Sequence, residues 1–196
     1  MTARPGGNLV WVTGLPCTGK THALARCSHH SHFTHVQYDH LRNSLFPQLG
    51  VCAVEPDIDL GFDFSGFPLT GAQWSRLVQS VDRFLLFHRW QATQVYPGVL
   101  EKVLAASEGT VGLTVAEISP FVLACVQPPG KVVWCQTSKE THAERLAEAM
   151  KCSVEAGFEL AAFLAEARSR LEGFQVDFDV NVLNLQALLQ LLWKRT

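Results

Sequence analysis

The chain has 196 residues, 47% of them hydrophobic and 17% charged, with a formal net charge of −2. That length fits one domain with a respectable core, and the near-neutral balance excludes a global basic field that would draw in nucleic acid. No apolar run approaches the ~20 residues that cross a bilayer. The opening MTARPGGNLVWVTG lacks a signal-peptide plan, and the scattered Cys17, Cys27, Cys52, Cys125, Cys135 and Cys152 form no C-x-x-C pair, so they read as reduced thiols of a cytoplasmic protein.

The first predicted element is a strand over Leu9–Thr13, LVWVT, rich in β-branched and apolar side chains. It leads directly into GLPCTGKT, Gly14 to Thr21, and KTHALARC then has helical character. Gly14, Gly19, Lys20 and Thr21 satisfy the spacing G-x-x-x-x-G-K-[ST] in full. The two glycines admit backbone angles closed to other residues, so the segment Leu15, Pro16, Cys17, Thr18 between them can turn backbone N–H groups inward around a phosphate. A helix beginning near Lys20 adds the positive end of its dipole. Lys20 then reaches the β- and γ-phosphates of a nucleotide, and the Thr21 hydroxyl ligates Mg²⁺. Strand, loop and helix in that order are the context this motif requires, and a plain glycine turn is the weaker account. Cys17 has two readings, a thiolate favoured by the surrounding N–H groups or simply a small residue that fits the loop, and the second is preferred.

CSHHSHFTHVQYDH concentrates Cys27, His29, His30, His32, His35 and His40. The spacing matches no structural zinc pattern, and a strand would turn His32 and His35 to different faces, so a polar loop entering a second strand explains it better. That strand, HFTHVQYD, is expected to end at Asp39 beside the first strand, with HLRNSLF a short helix stopped by Pro47. Residues 47 to 71 carry Pro47, Gly50, Pro56 and Gly61 together with Glu55, Asp57, Asp59 and Asp63, which predicts a long irregular insert on the substrate side. Trp74, Leu77, Val78, Val81, Phe84, Leu85 and His88 recur at helical spacing, so one long helix is predicted from near Gly71, bending or restarting at Pro97-Gly98 and reaching about Ser107. TVGLTVAEI gives a third strand ending near Glu117, SPFVLACV a short helix and KVVWCQT a fourth strand. SKETHAERLAEAMK opens on Ser138 with a capping pattern, Val154 to Leu171 is a second helical stretch, FQVDFDV a fifth strand and NLQALLQLLWKR a closing amphipathic helix. Strands alternating with helices predict an α/β fold, a five-stranded parallel sheet with helices on both faces and ligand at the carboxyl ends of the strands.

GLPCTGKT followed by YDHLRNSL resembles the small P-loop kinases, among them polynucleotide 5′-hydroxyl kinases, chloramphenicol phosphotransferase, zeta-toxin-like kinases and seryl-tRNA(Sec) kinase. The likeness covers Met1 to Leu45 well and the stretch from KVVWCQTSKETHAERL onward more loosely, while residues 47 to 70 match nothing in these families. It implies a P-loop NTP hydrolase or nucleoside-monophosphate-kinase-like fold, a single domain over 1–196 with the 47–71 insert and lid helices at about 138–172. It also implies ATP and Mg²⁺ as cofactors, and a γ-phosphate transferred to a hydroxyl of a small-molecule or RNA- or tRNA-linked acceptor.

Carried over by position, the resemblance puts Asp39 where these enzymes keep a catalytic base. A carboxylate beside the loop can orient an attacking hydroxyl and take its proton, although Asp before HLRNSLF is also a favoured helix cap. Arg42, one turn on, binds a polar or anionic substrate group on this reading and is a solvated surface residue on the other. Arg145 matches a lid arginine that neutralises charge on the transferring phosphoryl group, against an ion pair with Glu148 along its own helix. Lys139, Lys151, Arg168 and Arg170 are weaker lid candidates. The third strand lacks the usual aspartate that holds Mg²⁺ through water, leaving Glu117 either as its substitute or as a solvent-facing loop residue. Absence of N-K-x-D, and of D-x-x-G after the third strand, argues against a GTPase. A P-loop NTPase or a catalytically degenerate nucleotide-binding regulatory module is the rival to the kinase. No membrane partner and no strong general nucleic-acid binding are expected, and the sequence does not specify the acceptor.

Overall fold

Strand β1 (Leu9–Thr13) is buried along its whole length, which is why it reads as an unbroken apolar run instead of an alternating one. Leu9 and Trp11 enter one core while Val10 and Val12 enter another, as the two-residue period of a strand demands. The computed structural model of the chain describes residues 8–27, 32–45, 71–108, 110–172 and 175–194. Around β1 lies a parallel sheet in the order β2–β3–β1–β4–β5, with β2 at Phe33–Val36, β3 at Leu113–Glu117, β4 at Lys131–Gln136 and β5 at Phe178–Asn181. Val12 stands opposite Glu117, and Thr13 opposite Trp134. The carboxyl ends of β1 and β3 therefore finish level, which delivers Glu117 to the mouth of the loop that follows β1.

Two layers of helices cover the sheet. On one face α1 (Lys20–Cys27) and α9 (Leu185–Trp193) bury Leu24, Cys27, Leu185, Leu189 and Leu192, a stripe at helical spacing, against Val10, Val12 and Val133. On the other face α4 (Val81–Gln94), α5 (Tyr96–Glu108), α6 (Pro120–Leu123) and α8 (Val154–Ser169) bring Phe84, Phe87, Val99, Phe121 and Leu164 onto Trp11. The expected α/β class with helices on both faces is the one observed.

Several boundaries differ from expectation for physical reasons. β2 pairs with β3 and not with β1, because the slot beside β1 goes to the more deeply buried β3. β2 also stops at Val36, and α2 (Tyr38–Leu45) begins before Asp39, so Asp39 sits inside the first helical turn and neither ends the strand nor caps the helix. The long helix expected to bend or restart at Pro97-Gly98 is three pieces, α3 (Gly71–Leu77), α4 and α5, with the second join beside the expected point and the first join unexpected. Ser80 breaks the first join, adopting extended backbone and accepting the Arg83 amide at 3.4 Å as an N-cap. At the second join α5 restarts at Tyr96 with Pro97 in its first turn, where a missing N–H is harmless. β5 is only Phe178–Asn181, because the Asn181 side chain accepts the Leu183 amide and turns the chain into a 3₁₀ turn.

α7 (Lys139–Met150) is capped by Ser138 and ends on Lys151 in the left-handed region, and α8 follows from its own cap at Ser153. Gly157 lets these two helices touch: a Cβ there would lie 2.3 Å from the Ala143 carbonyl oxygen and 3.0 Å from the Ala147 Cβ. The expected 47–70 insert, its acids and the Pro47 helix stop lie outside the described residues. Among the described residues no helix is long and apolar enough to cross a membrane.

Candidate functional site

The loop from Gly14 to Thr21 is shaped by what its neighbours exclude. Gly14 has φ +147, and a Cβ on it would meet the Cys135 carbonyl oxygen of β4 at 2.2 Å. Gly19 has φ +97, and a Cβ there would meet Arg145 Nη1 at 2.6 Å. Cys17 adopts φ +62, the left-handed region that a non-glycine residue occupies only under constraint. Buried Thr18 donates its hydroxyl to the Leu15 carbonyl at 3.0 Å. Lys20, at the first position of α1, folds back over the loop and donates from Nζ to the carbonyls of Gly14 (2.8 Å) and Leu15 (2.9 Å). Burial pushes the Lys20 pKa down, opposed most by the charge of Glu117 and least by that of Asp39.

Glu117 turns toward this loop. Its Oε2 accepts the Thr21 hydroxyl at 2.7 Å, and its Oε1 meets His35 Nε2 at 2.7 Å. The carboxylate is thus largely buried between two partners, which removes the solvent-facing reading. Thr21 and Glu117 together present two oxygens of the kind a hard divalent cation takes. His35, from β2, is a partner that sequence reasoning missed: the residue was expected in the second strand and weighed only as a zinc ligand. His32 from the same stretch stacks on Trp193, with ring centroids 4.9 Å apart. His29 and His30 lie outside the described residues.

Across the mouth of the loop stand Asp39 and Arg42, ion-paired at 2.9 Å one turn apart on α2. The Asp39 side chain is 78% exposed, whereas Arg42 is largely covered and lies 5.9 Å from the Tyr38 ring centroid. Arg42 is therefore not the solvated residue that the bland reading supposed. Asp39 and Lys20 line the same cavity.

The fourth contribution comes from α7. Arg145 Nη1 donates to the Thr18 carbonyl at 2.5 Å, and His142 Nε2 donates to the Pro16 carbonyl at 2.7 Å. The two residues are three apart and share a helix face, so α7 clamps the loop at two carbonyls. Among the described residues Arg145 makes no ion pair with Glu148. Two of the weaker lid candidates are engaged elsewhere, Arg168 over the Trp134 ring at 5.0 Å and Arg170 with Asp82 and Glu166, while Lys139 opens α7 and Lys151 ends it. His142 could have been found from sequence as the residue one turn before Arg145.

The surroundings of Cys17 favour the neutral thiol over the thiolate. Burial raises its pKa above the ordinary thiol range by more than the nearby Lys20 and Arg145 lower it. Iodoacetamide should therefore alkylate Cys17 slowly at neutral pH and faster above pH 9, and Mg-ATP should block the reaction because Cys17 lies within the loop. Peptide mapping separates it from the exposed Cys125 and Cys152. Alkylation at an unchanged rate with Mg-ATP would place Cys17 away from the nucleotide.

Loop, Glu117 and α2 open into one cavity of about 590 Å³, within the usual range for small-molecule sites. Its far side is built by Tyr38, Trp74, Phe87, His88, Gln91 and Ile118. Buried His88 donates Nδ1–H to the Phe84 carbonyl at 2.9 Å, and burial pushes its pKa down to about 4. The unfolded chain binds this proton near pH 6.5 and the folded one near pH 4. The contribution of a neutral His88 is thus complete above pH 6.5 and lost as pH falls toward 4, a loss of roughly 3 kcal/mol at most. The melting temperature should drop over that window, and His88→Gln should flatten the drop. An equally steep profile in the variant would locate the acid sensitivity elsewhere.

No protein-family profile matches this chain, and no curated protein matches it. Solved structures do. The Thermus thermophilus protein TT1252 is 16% identical, aligning over 99% of this chain and 100% of its own with a TM-score of 0.56. Dephospho-CoA kinase from Campylobacter jejuni aligns over 89% of this chain and 87% of its own at 16% identity and a TM-score of 0.48. A gluconokinase from Sinorhizobium meliloti aligns over 96% and 89% at 16% identity and a TM-score of 0.40. At such identities the likeness to the Thermus protein speaks for the fold alone, and the chemistry has to be argued from the residues.

Proposed function

We propose that this protein is an ATP-dependent kinase that transfers the γ-phosphoryl group to a hydroxyl of an acceptor bound beside α2. The observation that supports it best is convergence: Lys20, the Thr21–Glu117 oxygen pair and the exposed Asp39 carboxylate open onto one cavity. In this reading the amides of the Gly14–Thr21 loop and Lys20 Nζ hold the β- and γ-phosphates, with Lys20 exchanging its carbonyl partners for phosphate oxygens. Thr21 and Glu117 would hold Mg²⁺, whose charge offsets that of the phosphates. Asp39 accepts the proton of the attacking hydroxyl as the new phosphorus–oxygen bond forms and the β,γ-bridging bond breaks, ADP leaving with the electron pair. Arg42 fixes the orientation of Asp39. Arg145 leaves the Thr18 carbonyl to face charge that develops on the transferring group.

The test is ADP release with Mg-ATP, with and without a panel of hydroxylated acceptors. Acceptor-dependent release supports the kinase, acceptor-independent hydrolysis supports the NTPase, and nucleotide binding with neither supports the degenerate regulatory module. Arg145→Ala should lower kcat by about 100-fold or more with a much smaller loss of ATP affinity. Equal losses in binding and turnover would make Arg145 a ground-state clamp only.

A further inference from the structure

The wall of the cavity remote from the glycine loop holds polar atoms without a partner. Gln91 is 1% exposed and Tyr38 3% exposed, and the Gln91 Oε1 and Tyr38 hydroxyl oxygen are both buried without a hydrogen bond. Trp74 Nε1 is in the same condition. All three residues line the cavity. His88 adds a fourth group: since Nδ1 donates to Phe84, Nε2 of the neutral ring is an acceptor. Buried polar groups are almost always paired in folded proteins. Among the described residues six such atoms are orphaned, and three of them belong to residues that line this cavity. A group kept in the core at the expense of stability, on the lining of a cavity, is what a binding site looks like before its ligand arrives.

Their chemistry says what that ligand is. An indole N–H only donates, a histidine Nε2 and an amide oxygen accept, and a phenol does both. Hydroxyl groups, each donor and acceptor, satisfy all four. A carboxylate or phosphate satisfies only the donors and would face the Gln91 oxygen and the His88 lone pair with negative charge. Of the two cations lining the cavity, Lys20 belongs to the loop and Arg42 is paired with Asp39. Phe87 and Ile118 complete the wall with apolar surface suited to the C–H faces of a carbon skeleton. Resting on the kinase reading, we propose that the acceptor is an uncharged, polyhydroxylated small molecule whose hydroxyls are read by Gln91, Tyr38, Trp74 and His88. The hydroxyl that reacts is then the one left facing Asp39.

Thermal shift with saturating Mg-AMP-PNP separates this proposal from the reading beneath it. Ribose, glucose, sorbitol and inositol are compared with ribose 5-phosphate, glucose 6-phosphate and glucuronate, in the wild type and in Gln91→Leu and Tyr38→Phe. At least one neutral compound should add about 2 °C or more at millimolar concentration, the anions should add nothing, and both variants should lose the response while keeping the Mg-AMP-PNP shift. Without ligand, the variants should melt no lower than the wild type, because each removes an unpaired buried atom. The proposal is overturned by preference for the anions, by silence of every neutral compound, by a full response in both variants, or by variants that melt lower without ligand. If instead Mg-AMP-PNP itself gives no shift in the wild type, it is the nucleotide reading that fails.

Discussion

Asp39→Asn is expected to reduce phosphoryl transfer by about 100-fold or more while leaving ATP affinity and folding nearly unchanged. Asparagine keeps the size and shape of the side chain but has no basic oxygen to take the proton of the attacking hydroxyl. The stability side follows from position. Asp39 is exposed, paired with Arg42 across one turn, and placed in the first turn of α2. An acid in the first turn contributes about 0.3–1 kcal/mol, and asparagine keeps a side-chain oxygen to which the largely covered Arg42 can still donate. The variant should therefore melt within a few degrees of the wild type. Near-normal turnover in Asp39→Asn would end the base assignment, whatever Lys20 does.

Lys20→Ala is expected to abolish the stabilisation that Mg-ATP gives the wild type. A ligand at a hundred times its dissociation constant adds about 2.7 kcal/mol, or roughly 5–10 °C for a chain of this size, so the lost response is large. The ligand-free protein should behave differently from an ordinary buried-contact variant. Lys20 is a desolvated cation with a lowered pKa, resting on carbonyls of its own loop, so removing it should leave the melting temperature unchanged or higher. A Mg-ATP shift of wild-type size in Lys20→Ala would sink the phosphate-loop assignment. Loss of the shift together with a collapse in ligand-free stability would show instead that Lys20 holds the loop together.

The glycine-loop half of the candidate site was legible because its constraints are local. A buried strand, two glycines at positive φ and a lysine at a helix start occupy consecutive positions, so spacing alone reveals them. Glu117 could be named but not oriented, since its contact with Thr21 joins residues 96 apart in the chain. The site residues that sequence reasoning missed depend on register and on breaks that composition hides. The apolar spacing of Leu77, Val78 and Val81 runs straight across the join between α3 and α4, so periodicity does not register the cap at Ser80. Asp39 was displaced by the start of α2 at Tyr38, a shift of the size by which element ends commonly vary. A usable signal for the polar wall of the cavity did exist. His88 and Gln91 continue the buried face of Phe84 and Phe87 at helical spacing, and polar residues on a core stripe ask for partners.

The seam at Gly157 has a thermodynamic consequence. Gly157 seats α8 directly on Ala143 and Ala147 of α7, and His142 and Arg145 tie α7 to two carbonyls of the glycine loop. A displacement of α7 would have to break or carry those contacts, so it would be coupled to the shape of the loop. On the kinase reading, linkage then makes the coupling act in both directions: if nucleotide binding shifts the helices, a molecule that shifts them the same way must raise nucleotide affinity. A partner that never enters the cavity, gripping only the outer face of α8, would change the nucleotide dissociation constant by the same factor that nucleotide changes its own.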